Sequence, residues 1–359
     1  MAEPRRVPAT GTVDSPPPDA EAAPVLLKVD DLRVTVGGGS AEAVHGVSFE
    51  VRRGESIGIV GESGSGKTLV CRSVLGVLAP GCAVSGGTID YAGTSLVNLP
   101  RKAWDALRGT GIAAVFQDPA SYLNPSVPVG RQVTEQLRVK LGASRRDARH
   151  AAVRLLAAMG LHNPERVYHQ YPHELSGGML QRVVLAIAVS GDPALLIADE
   201  ATTALDVTIQ AEVLDLLASL RAERGLSVIA VSHDLAVIAE LCDRVLVFYA
   251  GELVEAGPTA EVLLAPRHPY TEALLRVASV GSWERRTLAV IDGQPPPVGA
   301  TITGCRFADR CDFATEQCRS QPVPLTELAD GRSVRCLRAQ EIALHGAGAE
   351  VAAEAGAAW

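Results

Sequence analysis

The sequence predicts an α/β protein: a parallel sheet interrupted by a helical insertion, followed by a small Cys-containing C-terminal module. Three observations point to it. Short apolar runs bounded by turn or charged residues (Ser56–Val60, Ile112–Phe116, Leu195–Ala198, Ser227–Val231 and Arg244–Phe248) read as strands. The last four have the unbroken apolar character of parallel strands buried on both faces. Between Gln132 and Ala188 the spacing is helical, in QVTEQLRVKL, RRDARHAAVRLLAAMG and MLQRVVLAIAV. From about His268 the composition shifts to Pro, Cys and Arg.

The elements follow in order. Residues 1–24 hold six of the 22 prolines and almost no large apolar residues, so a disordered tail is expected there. Leu26–Val36 and Val44–Val51 alternate as strands do and are separated by a turn-like GGGS. Lys67–Leu78 has helical spacing at Leu69, Val70, Val74, Leu75 and Leu78, and Thr88–Tyr91 reads as a further strand. This gives a body over 25–267 with its insertion at about 120–187, a module over 268–338, and an Ala-rich tail over 339–359, frayed or disordered.

Composition narrows the function. Among 359 residues, 47% are hydrophobic and 21% charged, which is ordinary for a folded chain and excludes a wholly disordered one. The formal net charge of −8 gives no general attraction to nucleic acid or anionic lipid. The longest core-like apolar run, Val183–Val189, is far shorter than the ~18 residues of a membrane span. The first residues lack the apolar region of a secretory signal, so a cytosolic chain is expected.

Gly61, Glu62, Ser63, Gly64, Ser65, Gly66, Lys67 and Thr68 fit the pattern G-x-x-x-x-G-K-[ST]. Glycines let successive N–H groups curl around a phosphate, the lysine reaches the outer phosphates, and the hydroxyl binds Mg²⁺. A strand precedes the motif and an amphipathic helix follows, whose N-terminus favours anions. The alternative is a glycine-rich turn with an exposed lysine. Asp199 and Glu200 end an apolar strand, where carboxylates face the ligand crevice of a parallel sheet. Asp199 is suited to hold Mg²⁺ and Glu200 to polarise a water as general base. In isolation such a pair would be a solvated strand end.

Leu175-Ser176-Gly177-Gly178-Met179, followed by Gln181-Arg182, resembles the signature of the ATP-binding-cassette ATPases. The order of parts is also similar: phosphate loop, Gln117 in FQDP, signature, Asp199-Glu200, Ala204-Leu205-Asp206, then His233 in VSHD. The resemblance implies a RecA-like parallel core with an antiparallel β subdomain. It implies ATP and Mg²⁺ as ligands, with Thr68, Gln117 and Asp199 at the metal. Glu200, His233 and Gln117 would be catalytic, with His233 at the γ-phosphate and Gln117 also relaying closure to a membrane partner. Ser176, Gly177 and Gly178 would bind ATP held by an opposite subunit, and Asp206 would communicate across that interface.

FQDPASYLNP, DEATTALDVTIQAEVLDLL, SHDLAVIAELCDRVLVFYAGELVEAGP and RHPYTEALL are similar to the ATPase subunits of bacterial oligopeptide/dipeptide importers. The C-terminal GCRFADRCDFATEQC and VRC resemble the extension of that branch. Import of di- or oligopeptides is therefore expected, with nickel or glutathione as alternative cargo. The implied partners are two membrane permeases, a second ATPase subunit and, indirectly, a peptide-binding protein, with no nucleic acid. The implied location is the cytosolic membrane face. A soluble cassette of translation or repair is the competing class, disfavoured by a single phosphate loop and no coiled-coil insertion. A non-catalytic nucleotide-binding regulator is disfavoured by Glu200 and His233. Three positions depart from the family: Val36 stands where an aromatic residue usually stacks on adenine, Met179 where Gln is usual, and Ala201 where Pro is usual.

Seven cysteines in a cytosolic chain do not predict disulfides. Cys71, Cys82 and Cys242 read as small core residues. Cys305, Cys311, Cys318 and Cys336 cluster, which suits four-thiolate ligation. The absence of tight C-x2–4-C knuckles favours a [4Fe–4S] cluster over zinc, with ordinary packing thiols as the remaining reading.

Overall fold

A computed structural model of the chain describes residues 23–201, 207–278 and 290–347. The tail expected over 1–24 lies outside the described residues except for its last two positions, and 348–359 lie outside them as well. The strands are β1 (Val25–Val36), β2 (Ala41–Arg52), β3 (Ser56–Val60), β4 (Ala83–Tyr91), β5 (Thr94–Ser95) and β6 (Ile112–Phe116). They continue with β7 (Leu195–Asp199), β8 (Ser227–Val231), β9 (Arg244–Tyr249), β10 (Glu252–Pro258), β11 (Thr326–Glu327) and β12 (Ser333–Val334).

Two sheets result. An antiparallel four-stranded sheet has the order β2-β1-β4-β5. An eight-stranded sheet has the order β11-β12-β10-β9-β3-β8-β7-β6. Its β9, β3, β8, β7 and β6 are mutually parallel, and β10 to β12 join antiparallel. Every residue of β3, β7 and β8 is buried, which is why these strands read as continuous apolar runs. One face of the large sheet packs on the antiparallel sheet and the helix Lys67–Leu75, through Ile57, Ile59, Val70, Val74 and Leu32. The other face packs on the helical segment, through Val183, Leu185, Leu156 and Val133.

The helix after the phosphate loop ends three residues before the sequence expectation. Gly76 takes the left-handed conformation (φ 62°) and its N–H closes back on the Arg72 and Ser73 carbonyls. The Trp104 ring lies so close that a Cβ on Gly76 would meet it at 2.4 Å. The helical segment contains Val129–Leu141, Arg145–Ala158, Pro164–His169 and Gly177–Val189. Ser144 caps the second of these by accepting from the Asp147 N–H.

The C-terminal region shares the main sheet, because β12 pairs with β10. Residues 339–347 are likewise docked where a loose tail was expected: Ala339 is buried, the His345 N–H donates to Glu272 at 2.7 Å, and the Ala347 N–H donates to the Leu263 carbonyl at 2.8 Å. Among the described residues no helix is long and apolar enough to cross a membrane.

Candidate functional site

The phosphate loop links β3 to the helix Lys67–Leu75. Gly61 (φ 147°) is obligatory, since a Cβ there would stand 2.1 Å from the Phe248 carbonyl oxygen. Gly64 and Gly66 also have positive φ. Lys67 is buried, and its ammonium donates to the carbonyls of Gly61 (2.7 Å) and Glu62 (2.8 Å). Burial lowers the Lys67 pKa, opposed by the negative charges of Glu200 and Asp199. Ser63 and Gly64 are exposed at the tip.

Asp199 ends β7 and is buried, and its carboxylate accepts from the Thr68 hydroxyl. Burial first, and the neighbouring Glu200 second, raise its pKa. Glu200 has φ 52°, a left-handed backbone that aims it out of the strand line, and its N–H donates to the Val231 carbonyl at 2.9 Å. That bond brings it beside the loop after β8, where His233 Nδ1 lies 3.9 Å from its carboxylate. Gln117 follows β6, whose last residue Phe116 pairs with Asp199, and it is exposed. The sheet thus brings Lys67, Thr68, Asp199, Glu200, His233 and Gln117 to the C-terminal ends of β3, β7, β8 and β6.

The signature residues lie on the helical segment. Ser176 caps the helix Gly177–Val189, its Oγ accepting from the Met179 N–H at 3.4 Å. A Cβ on Gly177 would meet open space, whereas Gly178 is pressed on Ile209. Asp206 lies outside the described residues. Val36 ends β1, half-buried.

Residues 44–203 match the family described as ABC transporter, and residues 254–318 match the oligopeptide/dipeptide transporter C-terminal region. A Brucella abortus protein named as a peptide import ATP-binding protein is 43% identical over 332 residues, covering 89% of this chain and 98% of the relative. A Brucella melitensis protein of the same description is 45% identical with the same coverage. The chain belongs to the ABC transporter family, in its oligopeptide/dipeptide branch. Among solved structures, the dimeric cassette MJ0796 bound to ADP and Pi aligns at TM-score 0.58 and 26% identity, covering 65% of this chain and 99% of that one. cbiO1 from Clostridium perfringens, part of the transporter complex cbiONQ, aligns at TM-score 0.59 and 29% identity, covering 66% and 90%. The fold is thus that of an ABC ATPase with parallel and antiparallel sheets, and ATP with Mg²⁺ is its expected ligand pair.

Two further features of this ABC ATPase lie around the phosphate loop. Arg310, from the C-terminal region, forms a bidentate pair with Glu62. Tyr270 holds the Glu62 N–H at 2.8 Å. Sequence reasoning missed both; the quoted RHPYT and CRFADRC stretches contain them but carry no spacing that reveals a partner. Beside the loop opens a cleft bounded by His45, Ser63, Tyr249 and Pro295–Pro297.

Cys305, Cys311, Cys318 and Cys336 line one small, largely apolar pocket with Phe307 and Val323. Burial pushes the Cys305 thiol up to about 12 and raises Cys311 and Cys336, with the other thiols of the group adding to the effect. Among the described residues no three His, Cys, Asp or Glu side chains are arranged to hold a metal ion. The expected [4Fe–4S] cluster, and zinc as its alternative, therefore find no ready-made site in this arrangement: the four thiols share a pocket, but no metal-holding group is formed among the described residues. Cys71 and Cys242 are buried, as expected of core residues, and Cys82 is half-buried.

Proposed function

We propose that this chain is the ATP-hydrolysing subunit of a di- or oligopeptide importer, working at the cytosolic membrane face with two permeases and a second, similar ATPase subunit. The observation that carries it is the gathering of Lys67, Thr68, Asp199, Glu200 and His233 at one sheet end, in a chain of the oligopeptide/dipeptide branch. Lys67 exchanges its loop carbonyls for phosphate oxygens, and the loop N–H groups bind the rest of the polyphosphate. The adjoining cleft offers space for the adenosine end. Thr68 and Asp199 would hold Mg²⁺: both offer oxygen, and the buried carboxylate favours a cation beside it. Mg²⁺ supplies neutralisation of phosphate charge. Glu200 accepts the proton of the attacking water, and His233 orients Glu200 and faces the γ-phosphate. Gln117 senses the same site at the edge of the helical segment.

The exposed Gly177 and the Ser176 cap give the signature a free helix N-terminus for nucleotide held by a second subunit. The dimeric form of the aligned cassette supports this reading. ATP favours the closed pair, and its hydrolysis releases it, so chemistry drives alternating access. Reconstituted with its permeases, the wild-type chain should support ATP-dependent peptide uptake and Lys67→Ala should not. Uptake indifferent to Lys67 would reject the proposal, and uptake of nickel or glutathione alone would move it to that cargo.

The four cysteines extend the proposal to a [4Fe–4S] cluster with a structural role. Four thiols lining one largely apolar pocket support it, since such clusters are held by four cysteine thiolates. Protein prepared without oxygen should be brown and contain iron and sulfide; finding neither iron nor sulfide leaves the cysteines as packing residues.

A further inference from the structure

We infer that Arg310 is a positioning residue for the phosphate loop: by clamping Glu62 it sets the affinity of the site for nucleotide. The inference rests on the reading of Lys67 and its loop as the ATP site. Glu62 occupies one of the free positions of the G-x-x-x-x-G-K-[ST] pattern, so phosphate binding alone demands no particular residue there. Yet all of its polar groups are committed. Its N–H donates to Tyr270 Oη at 2.8 Å. Its carbonyl accepts from Lys67 Nζ at 2.8 Å and from the Ser65 N–H at 3.2 Å. Its carboxylate takes Arg310 Nη1 at 2.7 Å and Nη2 at 3.0 Å.

Arg310 is just as fully engaged. Its side chain is 3% exposed. Nε donates to the Asp292 carbonyl at 2.8 Å, Nη2 also to the Ile291 carbonyl at 2.9 Å, and Nη1 also to Tyr249 Oη at 3.2 Å. With the two bonds to Glu62, each of the five guanidinium N–H groups has an acceptor. The cation also lies over Tyr249 and Phe307, with ring centroids at 5.6 and 5.9 Å. A guanidinium held in this way cannot follow Glu62 if the loop moves. It defines where the Glu62 peptide sits, and with it the carbonyl that Lys67 and the Ser65 N–H share.

Arg310 ends the short turn Ala308–Arg310, between Cys305 and Cys311. Both cysteines line the four-cysteine pocket. One side chain thus stands between that pocket and the phosphate loop, across 248 positions of sequence.

The test uses the full chain and a fluorescent ATP analogue, with binding measured well below the melting temperature of each variant. Arg310→Gln should weaken nucleotide binding roughly 5- to 30-fold, the lower part of the range for coupled sites. Glu62→Gln should weaken it comparably. The double variant should be no worse than the weaker-binding single one, because both cut the same link. Arg310→Lys should recover only part of the affinity, since an ammonium cannot make the bidentate pair. In the assembled transporter, the Arg310→Gln loss should appear in KM for ATP, with kcat within about twofold. Unchanged affinity in folded Arg310→Gln, or additive losses in the double variant, would overturn the inference. If Arg310→Gln does not fold, Glu62→Gln decides alone, because it leaves the other three acceptors of Arg310 in place; wild-type affinity there overturns the inference. A Lys67→Ala variant that binds nucleotide normally would instead indict the site itself.

Discussion

Replacing Glu200 with Gln preserves the shape of the side chain and removes its charge, so it isolates the proton-accepting role. Little of the fold depends on that charge. The Glu200 backbone is held by its N–H bond to Val231 at 2.9 Å, which the substitution leaves intact. Its ion-pair contact with His233 is long, at 3.9 Å, and the His233 side chain is 59% exposed. Pairs of that kind contribute at most about 1 kcal/mol, so the melting temperature should move by no more than a few degrees. The electrostatic effect favours ligand binding: Glu200 helps raise the Asp199 pKa, so Asp199 ionises more readily without it. The chemical effect is large. A positioned general base contributes a factor on the order of 10²–10⁴. That is about 2.7–5.4 kcal/mol on the barrier at 1.36 kcal/mol per tenfold. Phosphate release by the assembled transporter should fall by that factor, while equilibrium ATP binding is retained or tightened and ATP-closed pairs accumulate. A Gln variant that melts like the wild type and hydrolyses ATP at the wild-type rate would refute the assignment.

Three further outcomes are expected. Leu156 is fully buried between the helical segment and the sheet, and Leu156→Ala should cost about 2–5 kcal/mol in urea unfolding. His268 is fully buried, its Nδ1 accepts from the Tyr270 N–H at 3.0 Å, and burial lowers its pKa to about 3. Between that value and the ~6.5 of an unfolded histidine the unfolded chain binds the extra proton, so this contribution is lost as pH falls, at up to about 1.4 kcal/mol per pH unit. His268→Asn should flatten the stability slope between pH 6.5 and 5, and superimposable slopes would contradict the assignment. Val36→Tyr should tighten ATP binding several-fold if the ring stacks on adenine, for a gain of about 1 kcal/mol; unchanged affinity would mean that another residue covers the base.

What was legible in the sequence depended on how far each cause reaches along the chain. Ser56–Val60 and Ser227–Val231 were read to the residue, because strands buried on both faces leave an unbroken apolar run between polar ends. The phosphate loop was legible because its geometry is local: Gly61 is required by a carbonyl that only a glycine clears. The helix after it was read too long because Leu78 keeps the apolar spacing beyond Gly76, and the stop lies in a left-handed backbone rather than in hydropathy. The docking of 339–347 was missed because an Ala-rich composition says nothing about two backbone N–H groups finding Glu272 and Leu263.

The same logic separates the two layers of the site. Its proposed reacting groups stand at strand ends, so Asp199 and Glu200 could be placed from the strand that carries them, and His233 through the family resemblance of VSHD. The groups that hold the loop come from elsewhere. Tyr270 and Arg310 reach Glu62 from a helix and a turn near the far end of the chain, and no periodicity connects them. A glutamate at a free position of the motif is therefore informative once its partners are known: chemistry places Lys67, and distant packing decides how firmly the carbonyls beside it are held.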